Sequence, residues 1–320
     1  MPLLILLAPA RLHIPDGFLS LTVSIVGWVL ATAAVGYALR QTRGQMGTKQ
    51  IPLMGVLAAF IFAAQAINFP IAGGTSGHLL GGALAAIVLG PWAAVLIMAS
   101  VIGVQALLFQ DGGLLALGFN IVNMGVIAAF TGHVAYWGLK RIMGEGRSSL
   151  LVAGGVGAWA SVMLGAIATA IELAVSGAAP MRVALPAMAG VHALIGVGEA
   201  LITVGALAFL YAARRDLLSI GAAAPAQASA HWIAIGLVIA LAVSALSPLA
   251  SGDPDGLNRV AQDLGFGGLA LAPAYRILSG YAIPIVNNSA LSKIIAVGAG
   301  TLIVFGAAFA IARWQRKVAA

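Results

Sequence analysis

Residues 149–175 read SLLVAGGVGAWASVMLGAIATAIELAV, an apolar stretch with a single ionisable side chain, Glu172. At the rise of an α-helix, this stretch is long enough to cross the roughly 30 Å hydrocarbon core of a bilayer. Small residues such as Gly154, Gly157 and Ser161 let membrane helices approach one another closely. The stretch therefore predicts a membrane-spanning helix that packs tightly against its neighbours.

The composition of the whole chain extends this prediction. Of its 320 residues, 61% are apolar and 8% are charged, whereas an ordinary soluble domain has about 25% charged residues. A backbone in hydrocarbon must satisfy its own hydrogen bonds, which favours helices. We therefore expect an all-α, polytopic transmembrane helix bundle, and the composition excludes a soluble globule.

The charged residues and the lack of cysteine exclude two further classes. The net charge is +7, but Lys and Arg lie in the gaps between apolar runs and do not form the basic face that nucleic-acid binding requires. The chain has no Cys, so a bound metal must be held by nitrogen or oxygen.

About nine apolar segments are candidates for membrane crossings. The segment 79–90 is short, and we count it because the positive-inside rule then places most Lys and Arg on one side. This count predicts an N-terminus outside and a C-terminus inside. The segments lie near residues 18–39, 51–68, 79–90, 92–109, 119–138, 149–175, 186–211, 231–247 and 290–312.

The segments divide the chain into a seven-span core and a two-span appendix. We expect residues 1–11 to be an extension and residues 12–215 to be the core. Residues 216–230 are rich in Ala, Pro, Gln and Ser, which is typical of a linker, here on the cytoplasmic side. Residues 231–320 form the appendix.

Two external segments carry histidine, the commonest protein metal ligand. Residues 12–20, LHIPDGFLS, open the first span, and residues 67–78, INFPIAGGTSGH, join the second span to the third. Glycines in the latter allow a tight backbone that delivers His78 to the start of a helix. The alternative is that His13 lies at the membrane interface and His78 bonds its own loop.

Four motifs in order resemble the CbiM/NikM family, the cobalt/nickel membrane subunits of energy-coupling-factor transporters. They are HIPDGF at 13–18, GGTSGH at 73–78, FNIVNMG at 119–125 and HALIGVGEA at 192–200. The resemblance covers roughly residues 12–215. It implies that the transported substrate is Co²⁺ or Ni²⁺.

The resemblance also implies the ligands of this ion. In the family, four nitrogens form a square plane: the N-terminal amine, the next backbone amide and two imidazoles. The matching donors here are Leu12 for the amine, His13 for the amide and first imidazole, and His78 for the second imidazole. Such a plane suits Ni²⁺ and Co²⁺, whereas Ca²⁺ and Mg²⁺ prefer oxygen.

One departure from the family concerns the chain start, because residues 1–11 precede Leu12 and an internal peptide bond supplies no amine. The favoured explanation is a TTG or CTG start codon at Leu12. A second explanation is proteolytic processing after Ala8-Pro9-Ala10, which would make His13 the third residue of the mature chain. If the extension is retained, other ligands must complete the site.

Several polar residues inside the predicted spans are further candidates. His192 and Glu199 share one helix face, and Glu172 lies in the preceding helix. Ionisable groups at this depth in a membrane are candidates for function. A buried contact between His and Glu that fixes helix packing is an equal alternative. Residues expected to support the ligands or to line a pathway are Asn68, Ser76, Asn120, Asn123, His192 and Glu199.

The appendix resembles a PDGLE/NikN-like module. Residues 251–257, SGDPDGL, match its short motif, although Asn258 stands where such modules usually have Glu. Asp253, Asp255 and Asp263 make the external loop acidic, which could concentrate cations there. A solvated, turn-rich loop is an equally good account.

The energy source must come from elsewhere, because no Gly-Lys followed by Ser or Thr is present to form a phosphate-binding loop. The resemblance implies a transmembrane coupling subunit and two cytoplasmic ATPase subunits as partners in the bacterial inner membrane, and no enzymatic activity in this chain. A stand-alone secondary transporter or channel for divalent metals is the alternative, because Glu172, His192 and Glu199 could form its pathway.

Overall fold

The structure is a computed structural model that describes residues 12–218 and 230–317. The extension 1–11 and most of the predicted linker lie outside these residues. Helices dominate, which confirms the predicted all-α membrane bundle. They are α1 Leu21–Thr42, α2 Gln50–Gln65, α3 Gly82–Leu89, α4 Pro91–Val104, α5 Leu117–Ile121, α6 Ala128–Met143, α7 Arg147–Val175, α8 Met181–Ala213, α9 Ala230–Ala245, α10 Gly256–Asp263 and α11 Ser289–Lys317.

Not every predicted span is long enough to cross a bilayer. Among the described residues, seven helical stretches have the length and composition for a crossing, whereas α2 has 16 residues. The predicted span 79–90 corresponds to α3, which has eight residues and is therefore about 12 Å long. Gly90, which has a positive φ of 84°, ends α3, and Pro91 begins α4 at once. The count of nine crossings and the orientation remain predictions.

Small residues bring the long helices together, as the sequence predicts. A Cβ added to Gly157 of α7 would lie 2.8 Å from the Gly132 carbonyl oxygen of α6, so these two backbones are in direct contact. Large apolar side chains such as Val134, Val175 and Leu201 point outward and are exposed. Apolar surface of this extent is typical of a protein in contact with lipid.

The C-terminal helices pack against the rest of the bundle. α9 and α11 lie against α2, while α10 lies against α8. Leu257 and Val260 of α10 share one hydrophobic cluster with Ile14 and Phe18 at the start of the described chain. The appendix is therefore part of the same packed structure as the N-terminal segment.

The core contains three irregular segments. A two-stranded antiparallel ribbon, β1 Phe69–Ile71 and β2 Thr75–Gly77, leads into His78. The helices are interrupted by π-helical turns at Gln105–Phe109 and Val122–Ile127. Such turns often occur at functional sites, because the extra residue re-aims the side chains that follow.

Candidate metal-binding site

The structure brings His13 and His78 side by side at the end of the bundle where α1 begins. Their ring centroids are 5.6 Å apart and the rings are nearly perpendicular, at 81°. Both residues are buried. The Nδ1 of His78 lies 2.9 Å from its neighbouring Leu79 carbonyl oxygen, and its Nε2 lies 3.2 Å from the Leu12 carbonyl oxygen. With the proton on Nδ1, the Nε2 of His78 keeps a lone pair that can bind a metal next to the Leu12 backbone.

Asp111 lies on the other side of the histidine pair, next to Leu12 and His13. Its Oδ1 accepts a hydrogen bond from the Leu12 backbone N–H at 2.7 Å, and its Oδ2 accepts one from the Tyr281 hydroxyl at 2.7 Å. The Nδ1 of His13 lies 3.5 Å from Oδ1 and 3.3 Å from the Asp111 carbonyl oxygen. Asp111 therefore contacts two of the three predicted ligand residues, Leu12 and His13.

The charge of Asp111 changes the pKa values around it. Burial alone lowers the pKa of His13, but Asp111 outweighs this effect, so the pKa is raised. Burial, together with the neighbouring His13, lowers the pKa of His78. Burial opposes ionisation of Asp111, yet His13, the Tyr281 hydroxyl and the Leu12 N–H hold its pKa below the usual value. These contacts therefore favour the ionised form of Asp111 and the neutral form of His78.

Two side chains fix the backbone of the first segment. Asn120 pairs with Ile14 in both directions: its Oδ1 accepts from the Ile14 N–H at 3.0 Å, and its Nδ2 donates to the Ile14 carbonyl at 3.1 Å. The Asp16 carboxylate accepts from the N–H groups of residues 114–116 at 2.8–3.1 Å. Gly112, with φ of +92°, lies so close that an added Cβ would be 3.0 Å from the His13 Cβ.

Asn68 and Ser76, which we expected to support the ligands, connect the His78 loop to the appendix. The Asn68 Nδ2 donates to the Ser76 Oγ at 3.2 Å, and this hydroxyl donates to the Asp253 carbonyl oxygen at 2.8 Å. The Ser76 N–H donates to the Pro254 carbonyl at 2.9 Å, and the Ser251 N–H donates to the Asn68 carbonyl at 2.8 Å.

The candidates inside the helices have separate partners. Asn123 donates to Thr169 at 3.2 Å and to the Glu172 carboxylate at 3.0 Å. The Nδ1 of His192 donates to the Met188 carbonyl at 2.8 Å, one turn earlier in α8. Although His192 and Glu199 lie on one helix, the structure gives no hydrogen bond between them within the described residues.

Glu199 holds the start of α3. Its carboxylate accepts from the Leu80 N–H at 2.5 Å and from the Gly81 N–H at 2.9 Å. These backbone groups precede the first turn of α3, where donors lack partners within the helix. The expected pathway role of Glu199 stays a prediction, and the contacts explain its burial as capping of the helix that follows His78.

A cavity of about 70 Å³ lies beside the histidine pair, large enough for a cation and ordered water. The Nε2 of His13, one of its lining residues, is buried and has no hydrogen-bond partner within the part of the chain that the structure describes. Within residues 12–218 and 230–317, no three His, Asp or Glu side chains form a set that could by themselves hold a metal. The polar residues that line it come from six segments and are His13, His78, Asn120, Asn123, Thr169, His192 and Asp255.

Sequence reasoning missed Asp111 and Tyr281. A signal existed for Asp111, because it is an acidic residue followed by two glycines at the end of an apolar span. For Tyr281 we find no such signal, because it lies far along the chain in a loop of mixed composition. Burial raises the pKa of Tyr281 well above its ordinary value, and Asp111 adds to this effect.

The cavity also contains a residue that the sequence placed only in an acidic loop. Asp255 is 3% exposed and caps α10, where its Oδ1 accepts from the Asn258 N–H at 2.9 Å. Burial raises the pKa of Asp255 to about 7.

The bundle and its buried histidine pair define a multi-pass membrane protein, and comparison with known proteins gives its class. Residues 13–217 match the CbiM family, described as the cobalt uptake substrate-specific transmembrane region, and residues 230–317 match the PDGLE domain. The chain belongs to the CbiM family and carries a PDGLE domain after it. It is a cobalt/nickel transport membrane protein of this type.

Individual relatives match all or most of this chain. A putative fused nickel transport protein NikMN from Archaeoglobus fulgidus is 38% identical over 95% of this chain and 99% of its own length. A cobalt transport protein CbiM from Sorangium cellulosum is 32% identical over 65% of this chain and 94% of its own. A crystal structure of a truncated transition metal transporter has 34% identity and a TM-score of 0.54, covering 62% of this chain and 98% of that one.

Proposed function

We propose that this protein is the substrate-capture membrane subunit of an energy-coupling-factor transporter. It binds Ni²⁺ or Co²⁺ at the extracytoplasmic end of the bundle and delivers the ion inward with ATP hydrolysis by partner subunits. The observation that carries the proposal is the burial of His13 and His78 with ring centroids 5.6 Å apart, next to the Leu12 backbone.

The chemistry of the donors supports a transition metal. Imidazole and backbone nitrogen suit Ni²⁺ and Co²⁺, and an amide nitrogen must lose its proton to bind. No three side-chain ligands converge among the described residues, and the proposal takes the remaining donors from the backbone at Leu12 and His13. The Asp111 carboxylate, 2.7 Å from the Leu12 nitrogen, is placed to orient an amine there and to offset part of the cation charge.

The chain start decides whether this donor set is complete. A chain that begins at Leu12 supplies an amine, whereas a chain retaining Met1 eliminates the amine-ligand model. Intact-mass analysis of the purified protein measures this directly. Processing after Ala10 gives a third mass, and then an amine, two amides and the His13 imidazole complete a plane.

The source of energy separates the proposal from its alternative. The Glu172, Asn123 and Thr169 network next to the cavity is the kind of buried polar group that a secondary transporter uses. Liposomes with the purified chain alone should not accumulate Ni²⁺ or Co²⁺ if partner ATPases drive uptake. Accumulation without the ATPases and the coupling subunit would favour a stand-alone transporter.

Metal analysis of the purified protein tests the site. We expect about one Ni²⁺ or Co²⁺ per chain in the wild type and its loss in His78→Ala, because one of few nitrogen donors is removed. His231→Ala is the matched control, since His231 is exposed at the start of α9. Stoichiometric metal retained by His78→Ala would refute the proposed site.

A further inference from the structure

The PDGLE domain brings one carboxylate to the wall of the cavity. Asp255 lines this cavity together with His13, His78 and His192, and it is the single acidic side chain among the lining residues that the structure describes. Asp111 is close by, but its two carboxylate oxygens accept hydrogen bonds from the Leu12 N–H and the Tyr281 hydroxyl.

Contacts on both sides fix the position of Asp255. The residues before it are bound to the His78 loop, because the Ser76 N–H and Oγ donate to the Pro254 and Asp253 carbonyls. Gly256, the residue after it, packs closely against α8, since a Cβ added to Gly256 would lie 2.9 Å from the His192 Cε1. Asp255 therefore cannot leave the cavity wall unless the module separates from the core.

Helix capping accounts for the conformation of Asp255 but does not require a carboxylate. Its Oδ1 accepts from the Asn258 N–H, which an Asn or Ser at the N-cap would do equally well. A carboxylate that is 3% exposed has a large desolvation cost unless a cation offsets it. The ion pairs that the structure gives for residues 12–218 and 230–317 do not include Asp255.

A second observation in the same cavity points to a cation. The Nε2 of His13 is buried and has no hydrogen-bond partner among the described residues, whereas nearly all buried polar atoms in proteins have one. A divalent transition metal is the ligand that suits both an unused imidazole nitrogen and an adjacent carboxylate.

We propose that Asp255 is the residue through which the PDGLE domain takes part in cation binding: its carboxylate supplies negative charge that offsets the Ni²⁺ or Co²⁺ held beside His13 and His78. This inference rests on the proposed function. It assigns the domain a direct electrostatic role at the site, besides its packing against the core.

Equilibrium titration of the purified full-length chain with Ni²⁺ tests this role. Asp255→Asn keeps an N-cap acceptor and removes the charge, so we expect binding about tenfold weaker, as for other groups that support a metal site. Asp255→Ser is a second capped, uncharged variant with the same expectation. Asp253→Asn is the control, because Asp253 lies two residues away on the partly exposed side of the loop, and its affinity should match the wild type.

Asp255→Glu separates charge from capping. Glu is not a preferred N-cap residue but restores the negative charge, so this variant should bind Ni²⁺ more tightly than Asp255→Asn while unfolding at a lower temperature. The opposite order of affinity would overturn the charge role. Unchanged affinity in Asp255→Asn, with metal lost in His78→Ala, would overturn this inference alone. Retention of metal by His78→Ala would remove the proposed function and the inference with it.

Discussion

Single residues carry most of the chemistry of the site, and Asp111 connects the most groups. A buried carboxylate is stable only where hydrogen bonds and nearby charge replace its hydration. Asp111 has the Leu12 N–H, the His13 ring and the Tyr281 hydroxyl as partners. Since Tyr281 belongs to the PDGLE domain, the first predicted ligand is connected to that domain through one carboxylate.

Replacement of Tyr281 by Phe tests this connection. The ring, which stacks on Phe109 at a centroid distance of 4.7 Å, stays in place, while the hydrogen bond to Asp111 is lost. We expect the free energy of unfolding to fall by about 1–3 kcal/mol, because a buried charged acceptor loses its donor. Denaturant or thermal unfolding of the apo-protein in detergent measures the change.

Tyr275→Phe is the matched control. Its hydroxyl donates to the Leu107 carbonyl at 2.9 Å, but the side chain is 36% exposed and water can replace the lost bond. The control should therefore lose less stability than Tyr281→Phe. Equal losses of stability in the two variants would mean that the hydrogen bond from Tyr281 to Asp111 contributes no more than an exposed one.

At the scale of elements, the short helix α3 depends on close packing with α6. A Cβ added to Gly132 of α6 would lie 2.4 Å from the Ala83 Cβ of α3. Glu199 binds the N–H groups just before α3, and His78 lies just before those. The position of His78 is therefore set by how α3 fits against α6 and α8.

Two glycines of α6 give a matched test of this packing. Gly132→Ala should destabilise the protein by about 1–3 kcal/mol, because α3 and α6 must move apart. Gly138→Ala should be neutral or stabilising by about 0.5–1 kcal/mol, because Ala favours a helix and no atom of the other described elements lies within 4 Å of the added Cβ. Thermal unfolding of both variants decides the matter, and a Gly132→Ala variant as stable as Gly138→Ala would contradict the tight contact.

At the scale of the whole molecule, the core and the PDGLE domain are joined at both ends of the bundle. Near the histidine pair, the N–H groups of Ser76 and Ser251 donate across the two parts. Beyond the other end of α1, which has 22 residues, the Gly44 N–H donates to the Gln315 carbonyl at 3.4 Å. A cation bound beside His78 should therefore stiffen one of these junctions and not the other.

Hydrogen exchange of backbone amides measures this difference. Saturating Ni²⁺ should slow exchange at Ser76 and Ser251 and leave Gly44 unchanged. Ligand binding at 100 times the dissociation constant stabilises a protein by about 2.7 kcal/mol, which slows opening of the segments around the site. His78→Ala should show no change on metal addition, and uniform slowing at all three amides in the wild type would show that the effect is not local.

The sequence alone was sufficient for the fold class and for the identity of the family. Long apolar stretches predict membrane helices because the energy of a backbone in lipid depends on local composition. His13 and His78 were predicted as partners through family motifs, and the structure places them side by side. Local composition also overestimated α3, which begins at Gly82 and not at Leu79, because an apolar run does not show that Gly81 adopts a positive φ or that Glu199 binds the backbone N–H groups before the helix.

Only the tertiary structure brought Asp111, Tyr281 and Asp255 to the histidine pair. Asp111 and Tyr281 are 170 residues apart in the chain, and their contact depends on how the loop before α11 packs on the end of α4. Hydropathy and periodicity describe one helix at a time and therefore do not predict such contacts. The charge around the cavity is therefore a property of the assembled bundle, because its carboxylates come from different elements that meet only after the helices have packed.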